Sequence, residues 1–83
     1  MDDEADRGTQ DTMDAICRYL HLHPDAADSE EGIMNWWLQE MGVTSHPAEL
    51  QRALLLLLRR GALSATPLPD GRSLYRAPQP TLH

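Results

Sequence analysis

The sequence predicts an α+β, mainly α domain in which three helices precede a C-terminal two-stranded antiparallel hairpin. Three observations predict it. Apolar residues recur at helical spacing in three successive stretches. Gly42 and Gly61 each stand just past one of these stretches, where a helix C-terminus favours glycine. Two short extendable runs flank Pro69-Asp70-Gly71-Arg72, a strong turn signal.

The elements follow in order. Residues 1–10 are polar, acidic and without apolar periodicity, so they are expected to form a disordered tail. A first helix is predicted over residues 12–22, with Asp11 as N-cap and Asp14 in its first turn. Met13, Ile16, Cys17 and Leu20 make its apolar face, which places Cys17 in the core. His23-Pro24 ends it, because the residue before proline avoids the α region. Residues 25–28 form a polar connection. Ser29 caps a second helix that runs to about Glu40, with Glu30 and Glu31 at its positive end. Ile33, Met34, Trp37, Leu38 and Met41 share its broad apolar face, which leaves Trp36 at the periphery. Pro47 suits the first turn of a third helix, capped by Ser45 or His46 and continuing to Arg60. Residues 62–66 and 73–76 then supply the two strands, and residues 78–83 a frayed tail.

Composition narrows the function. A chain of 83 residues holds one domain with a thin core, here filled mainly by Leu because Phe is absent. The single cysteine excludes an internal disulfide framework and a cysteine-based zinc site. The acidic start does not read as a secretory signal, and the longest apolar run, residues 54–58, is too short to span a membrane. A cytoplasmic location is expected. The formal net charge is −6, but it is unevenly spread. Residues 1–31 hold ten carboxylates against two arginines, whereas residues 32–83 hold five arginines against three carboxylates. Every basic side chain apart from histidine is an arginine.

Residues 14–77 resemble the winged-helix (winged helix-turn-helix) family of small bacterial transcriptional regulators. Ser29-Glu30-Glu31-Gly32-Ile33 resembles the start of that family's second helix. Arg52-Ala53-Leu54 through Arg60-Gly61-Ala62-Leu63 resembles the end of its third helix and the start of the wing. Asp70-Gly71-Arg72-Ser73-Leu74-Tyr75-Arg76 resembles the wing tip and return strand. The motifs are specific for the fold and weak for any one function. The resemblance implies a third helix in the DNA major groove and a wing against phosphate. Carried over by position, Ser45, His46, Glu49, Gln51 and Arg52 would face the groove, with Arg72 and Arg76 on the wing. The wing arginines could equally serve only to keep a hairpin soluble.

Two features depart from that pattern. Glu49 would repel phosphate, and the third helix has no lysine. Within Leu54-Leu55-Leu56-Leu57-Leu58, a helical projection puts Leu50, Ala53, Leu54 and Leu57 on one face, so Leu55 and Leu56 are expected to point outward. Either the first helix or the tail covers them, or, with Trp36, they form a protein-contact or homodimer surface. The expected function is therefore DNA binding in transcription regulation, with dimerisation as a way to combine two weak half-sites. The alternative is a protein-interaction module that does not bind DNA. No enzyme activity, cofactor, metal site or small-molecule ligand is expected. His21 and His23 lie two apart, on different helix faces, and no ligand set completes a site with His46.

Overall fold

The computed structural model describes residues 6–78 and contains three helices and a three-stranded antiparallel sheet. Helix α1 spans Arg7–Leu22 and begins earlier than expected. Its N-cap is Asp6, whose carboxylate accepts the Thr9 N–H at 2.8 Å. The predicted tail is thus helical from Arg7 onward, while residues 1–5 lie outside the described residues. The apolar stripe misled because its N-terminal end is built from threonines: Thr9 and Thr12 are fully buried. Thr12 meets its own polar demand by donating its hydroxyl to the Gly8 carbonyl at 2.9 Å. Tyr19 stacks on Trp37 with ring centroids 4.8 Å apart, which covers the side of α1 carrying Ala15 and Tyr19. Cys17, on the opposite side of the stripe, is exposed rather than in the core.

Strand β1, Ala27–Asp28, occupies what the sequence presented as a polar connection. Helix α2 follows in three segments, Glu30–Gly32, Ile33–Trp37 and Leu38–Glu40. Ser29 caps it as expected, its hydroxyl accepting the Gly32 N–H at 3.2 Å. The middle segment is a π-turn, in which the Leu38 N–H reaches back to the Ile33 carbonyl. This wide turn buries Ile33, Trp37 and Leu38 and leaves Trp36 outside. Helix α3 spans Pro47–Arg59. Both α2 and α3 end in the same way. Gly42 and Gly61 adopt φ of 74° and 76°, and the next residue's N–H returns to the carbonyl five residues back, Val43 to Leu38 and Ala62 to Leu57.

The hairpin pairs β2, Ser64–Pro67, with β3, Ser73–Arg76, in the register Ser64↔Arg76 through Pro67↔Ser73. Strand β1 adds to the other edge of β3, with Ala27 opposite Arg76 and Asp28 opposite Tyr75. The sheet order is β1-β3-β2, so the return strand is central. Pro67, lacking an N–H, sits at the end of an edge strand, where the loss is tolerated. The order helix, short strand, helix, helix, hairpin makes the mainly helical α+β fold that the sequence predicts.

The core joins one face of each helix to Leu63. From α3 it takes Leu50, Ala53, Leu54 and Leu57, as expected, and also Leu56. Leu56 is only 4% exposed because α1 packs along that flank of α3. It therefore belongs to the core and not to the outward pair expected with Leu55. Leu55, one residue earlier, is 55% exposed.

Candidate nucleic-acid interface

The N-terminus of α3 is fixed from two directions. His46 precedes the first turn, and its N–H donates to Glu49 Oε1 at 3.0 Å. The Glu49 carboxylate also lies against Gly8 of α1, where an added Cβ would collide with it. The side chain expected to repel phosphate is thus half-buried and turned onto α1. Ser45 is similarly committed: its hydroxyl bonds that of Thr12, tying the α2–α3 turn to α1. Of the candidates near this turn, only His46 presents an exposed side chain.

Beyond the first turn, Gln51, Arg52, Leu55 and Arg59 are all exposed. At about 100° per residue they fall within one outward arc, opposite the face that carries Leu50, Ala53 and Leu57. Arg59 was not among the sequence candidates, although its spacing of seven from Arg52 was a usable signal. Arg52 is not isolated. Its charge helps hold the Asp6 carboxyl below the ordinary carboxylate range, after the larger effect of the hydrogen bond from the Thr9 backbone N–H.

The wing is built on a tight loop. Gly71 donates its N–H to the Leu68 carbonyl at 3.0 Å and adopts φ of 91°, while the Leu68 N–H reaches the Arg72 carbonyl at 2.7 Å. Pro69 and Asp70 fill the central positions of the turn, and Gly71 supplies the left-handed residue of the bulge that follows it. Asp70 then grips Arg72 twice. Oδ1 accepts the Arg72 N–H at 3.0 Å and Oδ2 accepts Nε–H at 2.9 Å. These bonds keep the Asp70 carboxyl below its usual range. On its other side, Arg72 Nη1 lies 3.9 Å from Glu31 Oε1, in the first turn of α2. Arg76 occupies the central strand and is half-buried, so it is set back from the wing tip. A cleft of about 480 Å³ runs between wing and α2, floored by Met34 and Leu50 and rimmed by Glu31, Asn35, Arg72 and Tyr75.

The expected apolar surface is divided. Trp36 on α2 is 68% exposed and Leu55 on α3 remains outward, whereas Leu56 is interior. A second cleft, about 610 Å³, lies between α1 and the α2–α3 turn and is lined by Asp11, Asp14, Cys17 and Arg18. Partial burial pushes the Cys17 thiol up, with Asp14 adding to the shift and Arg60 opposing it. His23 Nε2 lies 3.3 Å from Glu40 Oε2 across the α1–α2 junction. Among the described residues, no three His, Cys, Asp or Glu side chains are grouped to hold a metal ion, and no helix is long and apolar enough to cross a membrane. No family model, curated protein or solved structure matches the chain.

Proposed function

We propose that this chain is a small DNA-binding regulator, acting in the cytoplasm, that reads a duplex with the outward face of α3. One observation carries the proposal: that face offers Gln51, Arg52 and Arg59 to solvent, while the helix's one acid, Glu49, is turned back onto α1. Arginine and glutamine can form paired hydrogen bonds with base edges, and an aliphatic side chain such as Leu55 can meet a thymine methyl. Exposed arginines also suit phosphate. The low overall charge sets the expectation for strength. With a net charge of −6, non-specific attraction is weak and binding depends on a few placed contacts.

The test is fluorescence anisotropy with a pool of short duplexes at low salt, followed by a salt titration. Wild type should bind, with affinity falling as salt rises, and Arg52→Ala with Arg59→Ala should weaken binding and flatten the salt slope by about two. Absence of binding at low salt, or a double variant equal to wild type, overturns the proposal.

A second reading is favoured by the exposure of Trp36 and Leu55. Large apolar side chains held in water are the residue types that anchor protein interfaces, tryptophan above all. On that reading the domain is a protein-contact or homodimer module that does not bind DNA. Trp36→Ala and Leu55→Glu should then abolish self-association or partner capture while leaving the fold intact. Sedimentation showing a monomer in both wild type and variants removes the homodimer form of it.

A further inference from the structure

The wing arginine is already engaged by carboxylates of its own chain. Asp70 holds its Nε–H and backbone N–H, and Glu31 approaches Nη1 from α2. The guanidinium thus has one carboxylate bonded to it and a second within 3.9 Å. We infer that the wing is self-neutralised: Asp70 bonds Arg72 and Glu31 stands beside its Nη1, so a phosphate that approaches this arginine meets two carboxylates with it. This inference rests on the DNA-binding function proposed above and specifies how that site is held at low affinity.

The physical consequence is electrostatic. Where Arg72 meets a phosphate, Asp70 and Glu31 come near the same duplex backbone and repel it. The attraction of Arg72 to phosphate is largely offset by the repulsion from these two carboxylates. All three side chains are more than half exposed, so each pair is weak and acts mainly through its charge. The wing therefore contributes little to wild-type affinity, despite carrying an arginine at a phosphate-facing position. Asp70 also has a structural part, because its Oδ1 closes the turn onto the Arg72 N–H. Asp70→Asn keeps that acceptor and removes the charge.

A non-additive outcome is expected in the duplex-binding assay. Glu31→Gln with Asp70→Asn should tighten binding by about two- to tenfold at low salt and steepen the salt slope by about one phosphate contact. Arg72→Ala should be nearly silent in wild type, yet should reverse much of the gain in the Glu31→Gln, Asp70→Asn background. Matching melting temperatures would show that the substitutions act on charge rather than fold. Suppose wild type binds and Arg52→Ala weakens it, but the charge-neutral pair does not tighten binding. The inference then falls and DNA binding through α3 stands. Loss of fivefold or more on Arg72→Ala in wild type also overturns it, since the wing would then be engaged already. If neither wild type nor the charge-neutral pair binds duplex at low salt, both the inference and the proposed function fail.

Discussion

Leu55 and Leu56 are adjacent and chemically identical, yet the structure gives them opposite energetic weight. Leu56→Ala removes three carbons from a side chain that is 4% exposed. At about 0.8 kcal/mol per buried methylene, the transfer loss alone is roughly 2.4 kcal/mol. The void left between α1 and α3 raises the expected total to about 3 kcal/mol, within the span measured for buried leucines. Leu55→Ala removes the same carbons from a side chain already 55% exposed and leaves no enclosed cavity. Its cost should stay below about 1 kcal/mol, because leucine and alanine differ little in helix propensity. For a domain this small, each kcal/mol moves the melting temperature by about 4–8 °C. Leu56→Ala should therefore lower it by roughly 12–24 °C, and Leu55→Ala by only a few degrees. Thermal and urea unfolding followed by circular dichroism reads both. If the two variants lie within about 0.5 kcal/mol of each other, the placement of Leu56 between α1 and α3 is wrong.

Three other outcomes are expected. Asp6→Ala should destabilise at neutral pH, and the deficit should shrink in acid. The folded Asp6 carboxyl sits below its ordinary value, so its contribution is present above the unfolded pKa and is lost as pH falls through the folded one. Equal deficits at neutral and strongly acid pH would contradict this. Gly61→Ala should cost roughly 1–2 kcal/mol in urea unfolding, and Gly61→Asn less, since the space around it is open and only φ of 76° opposes a side chain. Cys17 should label fully with a thiol reagent in the native state, with its rate profile displaced to higher pH than that of a free thiol. Protection until unfolding would instead return it to the core.

Sequence signals were reliable where one residue type does one local job. Ser29 with the following glutamates, Pro47, Gly42 and Gly61 each answer a demand of the helix backbone that no distant neighbour can cancel. They marked the start and end of α2 and of α3. The hairpin was equally legible, because its loop needs a left-handed residue and Gly71 supplies it. What was not legible depends on neighbours distant in sequence. Strand β1 is two residues long, too short for any alternation, and exists through pairing with β3. Thr9 and Thr12 count as polar in any periodicity, yet they are the first buried turns of α1. Periodicity also gives a helix face only to within a residue's width. Whether Cys17 or Ala15, and Leu55 or Leu56, falls inside was decided by the flank the adjoining helix covers. The interface candidates divided in the same way. Arg52 and Gln51 are exposed on the outer side of α3, whereas Ser45 and Glu49 are absorbed by packing against α1.

That absorption also bears on how the two functional readings relate. Leu55 lies in the same outward arc of α3 as Arg52 and Arg59, so a protein bound over Leu55 would cover the residues proposed to meet the duplex. DNA and such a partner would then compete for one surface. Trp36 belongs to α2, on the outer side of the π-turn, and a partner anchored there alone need not cover α3. The two exposed apolar residues are therefore not interchangeable. Leu55→Glu should weaken duplex binding, because it sets a carboxylate between two arginines, whereas Trp36→Ala should leave it unchanged. A loss of DNA affinity on Trp36→Ala, with melting unaltered, would mean that the duplex reaches α2 as well. The low positive charge of α3 would then be only part of the interface, and the wing's neutralised arginine a smaller part of its affinity.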